Sequence, residues 1–519
     1  MNTLQDLAVF VVLIGLLQWP QPSDAVFLNP DQQGQVLLFP YYTAREGNDT
    51  FVSVVNTTDE AKALRVRFLE GVNSRDVLSF NLYLAPFDVW VAAITEQAED
   101  GALLLTPDSS CTVPYYFGDD VLADGETEIN RLGDVLFTNT SYTGELDDAG
   151  ADDIERTLSG HVEIIEMGVV IDNEQNSATA LTHEFQEFEG VGRPLPRPAN
   201  CIQLVEAWQD SPVGNAYWSQ DPNVDLMPPS GGLRGGLTII NVGTGVMFSY
   251  VAEAIDSFST EVLHFSPTNL EPHLNSGDVR TSHVQIDGQM DTQTWPTVVE
   301  AVSALFMRDT VMNEYITDPA IGGRSEWVMT FPTKRFYTDD LTAIDTAPVA
   351  PFNKISFEDA DSEIEPPEVY DRETYPENDF PRPIICTPPP QPPVPGFRLC
   401  NSSNVIRFAG PDEPAASEIL GEPQFSTIPV SNDPYLTSGW TRFDFSTVGN
   451  AQRITRGTLD DQGQSTDTGY IGLPVIGFWV NTFTNGQLGG GNVLANYGGT
   501  FRHSGSRRIG SIPEPDPGD

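Results

Sequence analysis

Basic residues are scarce in this sequence. Lys plus Arg is 26 against 74 Asp plus Glu, giving a formal charge of −48, and only Lys62, Lys334 and Lys354 are lysines. Binding nucleic acid or an anionic lipid surface needs cations that neutralise phosphates. The balance therefore excludes nucleic acid as an expected partner. It favours solubility, attracts divalent cations, and suits a salty medium in which screening weakens repulsion between exposed acids. Cysteine is also sparse, at four residues, and histidine at six. No CxxC is present and no histidine groups with the cysteines, so a structural zinc site is not expected. HExxH, GxSxG and Walker A elements are missing, and no GxGxxG follows a strand and opens a helix. Apart from Leu7–Trp19, no apolar run approaches the length needed to span a bilayer, so no transmembrane segment is expected in the mature chain.

That one run, LAVFVVLIGLLQW, resembles the core of a secretory signal peptide and precedes the small residues of Ser23-Asp24-Ala25. The expectation is an exported protein (extracellular, cell-surface or periplasmic) cleaved before Val26. The leader departs from the usual pattern in having no Lys or Arg in Met1–Asp6, and a retained N-terminal anchor is the competing reading. In an exported chain the four cysteines read as two disulfides. Three pairings are open by count. Proximity favours Cys386 with Cys400, leaving Cys111 with Cys201.

Between Val26 and Ile94, apolar runs rich in Val, Phe, Tyr and Leu alternate with turn signals such as Glu46-Gly47-Asn48-Asp49 and Asn56-Thr57-Thr58-Asp59. This is the pattern of consecutive antiparallel strands. Strand-like segments recur at Leu103–Leu105, Tyr115–Phe117, His161–Ile171 and Trp327–Phe336, and from Asn404 to Arg508. A short helix is expected within Thr179–Phe188. The clearest helix is Thr297–Arg308, where Val298, Ala301, Val302, Leu305 and Phe306 share one face. The expected fold class is mainly β: antiparallel β-sandwich domains with long acidic loops and few short helices. The organisation reads as a signal peptide (1–25), an N-terminal β domain (26–227), a second β unit with a short helix (228–345), a Pro-rich acidic connection (346–402) and a C-terminal β region (403–519). Val52–Asn56 and Leu237–Asn241 share the order apolar, hydroxyl, two β-branched residues, Asn. They suggest two related β units.

Calcium is the ligand expected from the acidic turns, because it accepts six to eight oxygens in irregular geometry. Asp359, Asp361 and Glu363 are the first candidates. Asp147, Asp148, Asp152 and Asp153 form a second patch, and Asp460, Asp461 and Asp467 a third. None fits an EF-hand. His264, Glu271, His273, His283 and Asp287 lie close in sequence and are a weaker metal candidate.

Val52–Asn56 and Leu237–Asn241 resemble exported bacterial β-sandwich modules, in which a run ending in Asn precedes a small polar turn. Phe80–Trp90, Trp327–Phe336 and Leu473–Phe478 resemble uncharacterised exported bacterial proteins. The resemblance implies no activity and supplies no catalytic residues. The function expected is that of a non-enzymatic surface or extracellular-matrix β protein, structural or adhesive, calcium-stabilised, with a surface polymer or protein as partner. The alternative is a secreted hydrolase of polysaccharide or another polymer, with a carboxylate pair and Trp208, Trp218 or Trp295 stacked on sugar rings.

Overall fold

The computed structural model describes residues 25–116, 119–121, 127–129, 133–186, 193–209, 216–339, 341–345, 349–352, 367–372, 399–409, 414–430, 437–446, 453–455, 468–488 and 493–511. The fold is mainly β, with short helices, and its body is built from four sheets. The first has eight strands, in the order Phe27–Leu28, Glu253–Asp256, Val36–Thr43, Ser159–Val170, Ala61–Glu70, Asp76–Leu84 and Cys111–Val113, with Leu226–Met227 beside Ser159–Val170. The second has six, in the order Gly133–Leu136, Gly101–Thr106, Val89–Gln97, Asn48–Asn56, Leu233–Asn241 and Val246–Val251. Every pairing in these two sheets is antiparallel.

These two sheets pack face to face. Leu37, Phe39, Leu64, Val66, Phe80 and Val162 from one side meet Val52, Val54, Trp90, Ile94, Leu237 and Ile239 from the other. The second sheet follows the period-two rule of a half-buried strand: along Asn48–Asn56, buried residues alternate with less buried ones at every step. The first sheet does not alternate. Val36–Thr43, Ala61–Glu70 and Ser159–Val170 are buried at every position. Its far face is covered by the short helices Ser177–Leu181, Cys201–Trp208 and Tyr217–Gln220, and by the segment around Phe258, Leu263 and Leu274. Close packing here needs glycine. A Cβ on Gly160, beside an irregularity in the Ser159–Val170 strand, would lie 1.9 Å from the Leu69 carbonyl oxygen.

The third sheet runs Phe425–Pro429, Ser403–Ala409, Gly323–Thr330, Ile476–Leu488 and Val493–Arg502; its first pair is parallel. It too is two-faced. Val328, Val405, Phe478 and Val480 join the core of the first two sheets. Trp327, Met329, Ile406 and Trp479 turn the other way, toward Val311, Tyr315 and Phe443 of the fourth sheet. That sheet is Glu368–Asp371, Ser438–Asp444, Thr310–Ile316 and Ser504–Ser506.

Local signals explain the ends of elements. The helix expected at Thr297–Arg308 spans Val298–Phe306 and opens on a capping box. Glu300 N donates to Thr297 Oγ1 at 3.3 Å, and Thr297 N donates back to Glu300 Oε2 at 2.9 Å. Cys201–Trp208 is a helix capped by Asn200, whose side chain accepts from Gln203 N. Cys201, its first residue, is bonded to Cys111 as expected, with the Cα atoms 5.1 Å apart. Cys400 is disulfide-bonded, and Cys386 lies outside the described residues. Three readings need correction. The helix in Thr179–Phe188 ends at Leu181, and His183–Gln186 becomes a strand against Leu195–Pro198. Tyr115 and Tyr116 follow the Cys111–Val113 strand, which stops before Pro114, a residue with no N–H to give a ladder, and Phe117 lies outside the described residues. The strand in Trp327–Phe336 stops at Thr330, before Pro332, and Arg335–Thr338 is helical.

The two look-alike segments are neighbours in one sheet, with Leu237 opposite Val52 and Asn241 opposite Asn48. Each Asn holds the turn that follows it. Asn56 Oδ1 accepts from Thr58 N at 3.1 Å, and Asn241 Oδ1 from Thr244 N at 2.9 Å.

Candidate interaction surface

Several of this chain's few bases are committed to its interior. Lys62, Arg65, Arg67, Arg156, Lys334, Arg335 and Arg407 are all buried. Seven acids are buried with them: Glu70, Glu163, Glu166, Asp225, Asp309, Glu326 and Asp371. Charge removed from water must be paired or hydrogen-bonded, and the described residues obey this. Glu163, on the outer face of the first sheet, lies 3.3 Å from Arg67 Nη1 and 3.0 Å from Arg335 Nη2. Arg67 also reaches Asp76 at 3.0 Å. Lys62 meets Glu166 at 2.9 Å, and Glu166 also accepts from Ser230 N and Gly231 N. Arg65 donates to four carbonyls, those of Ser266, Pro267, Asn269 and Glu271, and so fastens that loop to the sheet. Glu326 accepts from Ile419 N and Leu420 N, and burial pushes it up to about 7.

The candidate ligands read from the sequence are dispersed by this scheme. Asp359, Asp361 and Glu363 lie outside the described residues, as do Asp460, Asp461 and Asp467. Asp148 is taken by Arg156, 2.7 Å away, which also grips Glu70 and stacks on Tyr142. Asp147, Asp152 and Asp153 are exposed. The histidine group does not converge. His264 is walled in by Trp208 and Trp218, with Tyr83 Oη 2.9 Å from Nε2 and Pro222 O 2.8 Å from Nδ1. His273 sits against Ser276 and Phe336, while His283 contacts Thr292 across a separate hairpin. Among the described residues no group of three or more His, Cys, Asp or Glu could hold a metal ion. Trp218 and Trp295 are core residues, and Trp208 packs on Trp218 while donating to Tyr83. No helix among the described residues is long and apolar enough to cross a membrane.

His161, on the Ser159–Val170 strand, gives a pH test of the buried layer. Burial, with Arg335 and Arg67 nearby, pushes its imidazole down to about 3. A depressed histidine adds stability that is present above its unfolded pKa of about 6.5 and lost as pH falls toward the folded value. Between pH 7 and pH 5 this one residue is expected to remove about 2 kcal/mol. His161 makes only a long contact with Ser403, at 3.5 Å, so His161→Met is tolerable there. Urea unfolding at the two pH values should show the wild type losing about 2 kcal/mol more than the variant. Equal losses would mean that the imidazole is not held neutral.

The surface differs from this interior on the outer face of the second sheet. Among the described residues no other element covers that face. Its outward residues include Phe51, Ser53 and Val55 on one strand, Val91 and Ala93 on the next, Thr238 and Ile240 on a third, and Met247, Ser249 and Val251 at the edge. Phe51 is 39 % exposed, Met247 60 % and Val251 37 %. They lie in register: Ala93, Phe51, Thr238 and Ser249 form one row, and Asp49, Ile240 and Met247 another. Charge enters only at the margins, at Asp49, Glu96, Asp134 and Arg234. A polar protein of this charge with an apolar, nearly neutral sheet face has the composition of an association surface there. The sequence hid this face because its outward residues read as ordinary members of apolar runs.

Comparison with protein-family models, with curated proteins and with solved structures found no match to this chain.

Proposed function

We propose that this chain is an exported structural protein of a cell surface or extracellular matrix, and that it works by associating with copies of itself through the outer face of the second sheet. The observation that carries the reading is that face: six strands wide, uncovered among the described residues, and without charge at its centre. Copies carrying −48 each repel over most of their surface. An uncharged patch is where they can meet without stacking like charges, and a two-fold contact between identical patches is self-complementary. With strands about 4.8 Å apart and about 3.3 Å of rise per residue, the face offers roughly 600 Å² per copy. Two such faces reach about the lower bound for a specific interface. Export is supported by the Cys111–Cys201 bond, since disulfides persist in oxidising compartments. Calcium held by Asp359, Asp361 and Glu363 belongs to the same proposal and is supported by the excess of acids.

The test is sedimentation of the full chain in 0.5 M sodium chloride, where repulsion between copies is screened. The wild type is expected to dimerise. Phe51→Asp/Met247→Asp, which puts carboxylates on both mating faces, is expected to weaken the dimer by more than about ten-fold. A monomeric wild type at 100 μM, or a variant that associates as well as the wild type, would refute self-association through this face.

A further inference from the structure

A second feature, independent of that face, lies where the Val298–Phe306 helix runs into the extended residues Met307 and Arg308. A small open cleft lies there. Its lining is mixed: Leu28, Phe306, Val311, Val475 and Ile476 with Arg308, Arg502, Glu253 and His503.

The charges around this cleft do not balance. Arg502 is in close ion-pair contact with Glu253. Asp309 accepts from Ser506 Oγ at 2.7 Å and lies 3.9 Å from Arg508. Both local carboxylates are therefore engaged. The other two guanidiniums have carbonyl partners alone. Arg308 Nη1 donates to Met307 O at 3.2 Å. Arg507 donates to Gln285 O and Leu305 O, and its Nε makes no hydrogen bond. Among the described residues neither is within 4.0 Å of a carboxylate. Burial and the neighbouring Arg507 push the Arg308 guanidinium down to about 9. Glu253 and Asp309 act on Arg308, and Glu253 on Arg507, from beyond ion-pair distance. His503 adds no charge: Nε2 is 2.9 Å from Val328 O and Nδ1 is 3.1 Å from Asn313 Nδ2, which fixes the neutral ring. Burial lowers it to about 4.

We infer that this cleft binds a small carboxylate with a compact apolar body. The guanidinium of Arg308 supplies a planar fork that matches a carboxylate in two parallel hydrogen bonds. The five apolar residues of the cleft contact the remainder of the ligand. The same residues would hold a free acid or the carboxylate end of a larger molecule. An uncharged ligand of the same shape would leave the arginine as it is, so charge and body are both required.

Benzoate titrated into the full chain at 50 mM sodium chloride, followed by calorimetry, tests this, with acetate and benzyl alcohol as probes lacking one half of the recognition. Benzoate is expected to bind saturably, and each of the other two at least about ten-fold more weakly. Arg308→Gln is expected to weaken benzoate by about ten-fold or more, with Arg308→Lys between it and the wild type. Because Arg308→Gln removes a half-buried charge with no acid in ion-pair contact, its unfolding midpoint without ligand should not fall, so lost binding cannot be put down to lost fold. Three results would overturn the inference: no saturable benzoate binding, acetate binding as tightly as benzoate, or undiminished binding by Arg308→Gln.

Discussion

Replacing Glu163 with alanine is expected to cost the fold about 3–5 kcal/mol. Its carboxylate is completely enclosed and is the acid that two guanidiniums share, Arg67 at 3.3 Å and Arg335 at 3.0 Å. Arg67 would keep Asp76. Arg335 would keep a long contact with the Ser74 carbonyl and the influence of Asp76 and Asp339. Burial already lowers the Arg335 guanidinium to about 10, and removing the carboxylate leaves that cost uncompensated. The large loss is the penalty of an orphaned charge and not the net worth of the pair. Removing both partners separates the two. Glu163→Met/Arg335→Met is expected to fall within about 2 kcal/mol of the wild type, because apolar side chains of similar volume often replace a buried pair without loss. Urea unfolding at pH 7 measures each form. A loss below about 1 kcal/mol in the single variant is the value found for solvated ion pairs, and would show that water reaches this layer.

The second large effect belongs to the Cys111–Cys201 bond. It closes a loop with a sequence separation of 90 residues, for which loop-closure entropy gives about 4–5 kcal/mol. The bond joins the last strand of the first sheet to the helix that begins at Cys201, so it holds the covering layer to the sheet. Cys111→Ala/Cys201→Ala leaves the Cys400 bond in place. The variant is expected to unfold at a clearly lower urea concentration, and its helix layer should become accessible to proteolysis first. An unchanged midpoint would mean that packing alone fixes that layer.

Much of the first two sheets was legible from residue order alone. Asn48–Asn56 alternates because one face is wet, and alternation is what reveals a strand. The uneven pattern at His161–Ile171 has a physical origin: both faces of that strand are buried, so polarity no longer reports direction. Nothing in residue order marks Glu163 and Arg67 as buried either. A charge is usually solvated, and only their partners, 96 residues apart, keep them inside. The short helix at Cys201–Trp208 is not legible in residue order, because its packing partner, and not its propensity, decides it. The arginine cleft could not be read as a unit, since Arg308 and Arg502 meet only after nearly two hundred residues of intervening chain. One sign was available. Arg502, Arg507 and Arg508 fall within one short stretch of a chain that is poor in bases.

The order of strands in the first sheet fixes a time as well as a shape. Val36–Thr43 lies between Ser159–Val170 and Glu253–Asp256, and Asn48–Asn56 takes Leu233–Asn241 as one of its two neighbours. Early strands thus wait for partners made some two hundred residues later. At about 5–20 residues per second of synthesis, their edges stay unpaired for roughly 10–40 s. For that interval the most apolar part of the chain is a nascent segment that cannot yet close, and the cell must either shield it with a chaperone or move it across a membrane before it folds.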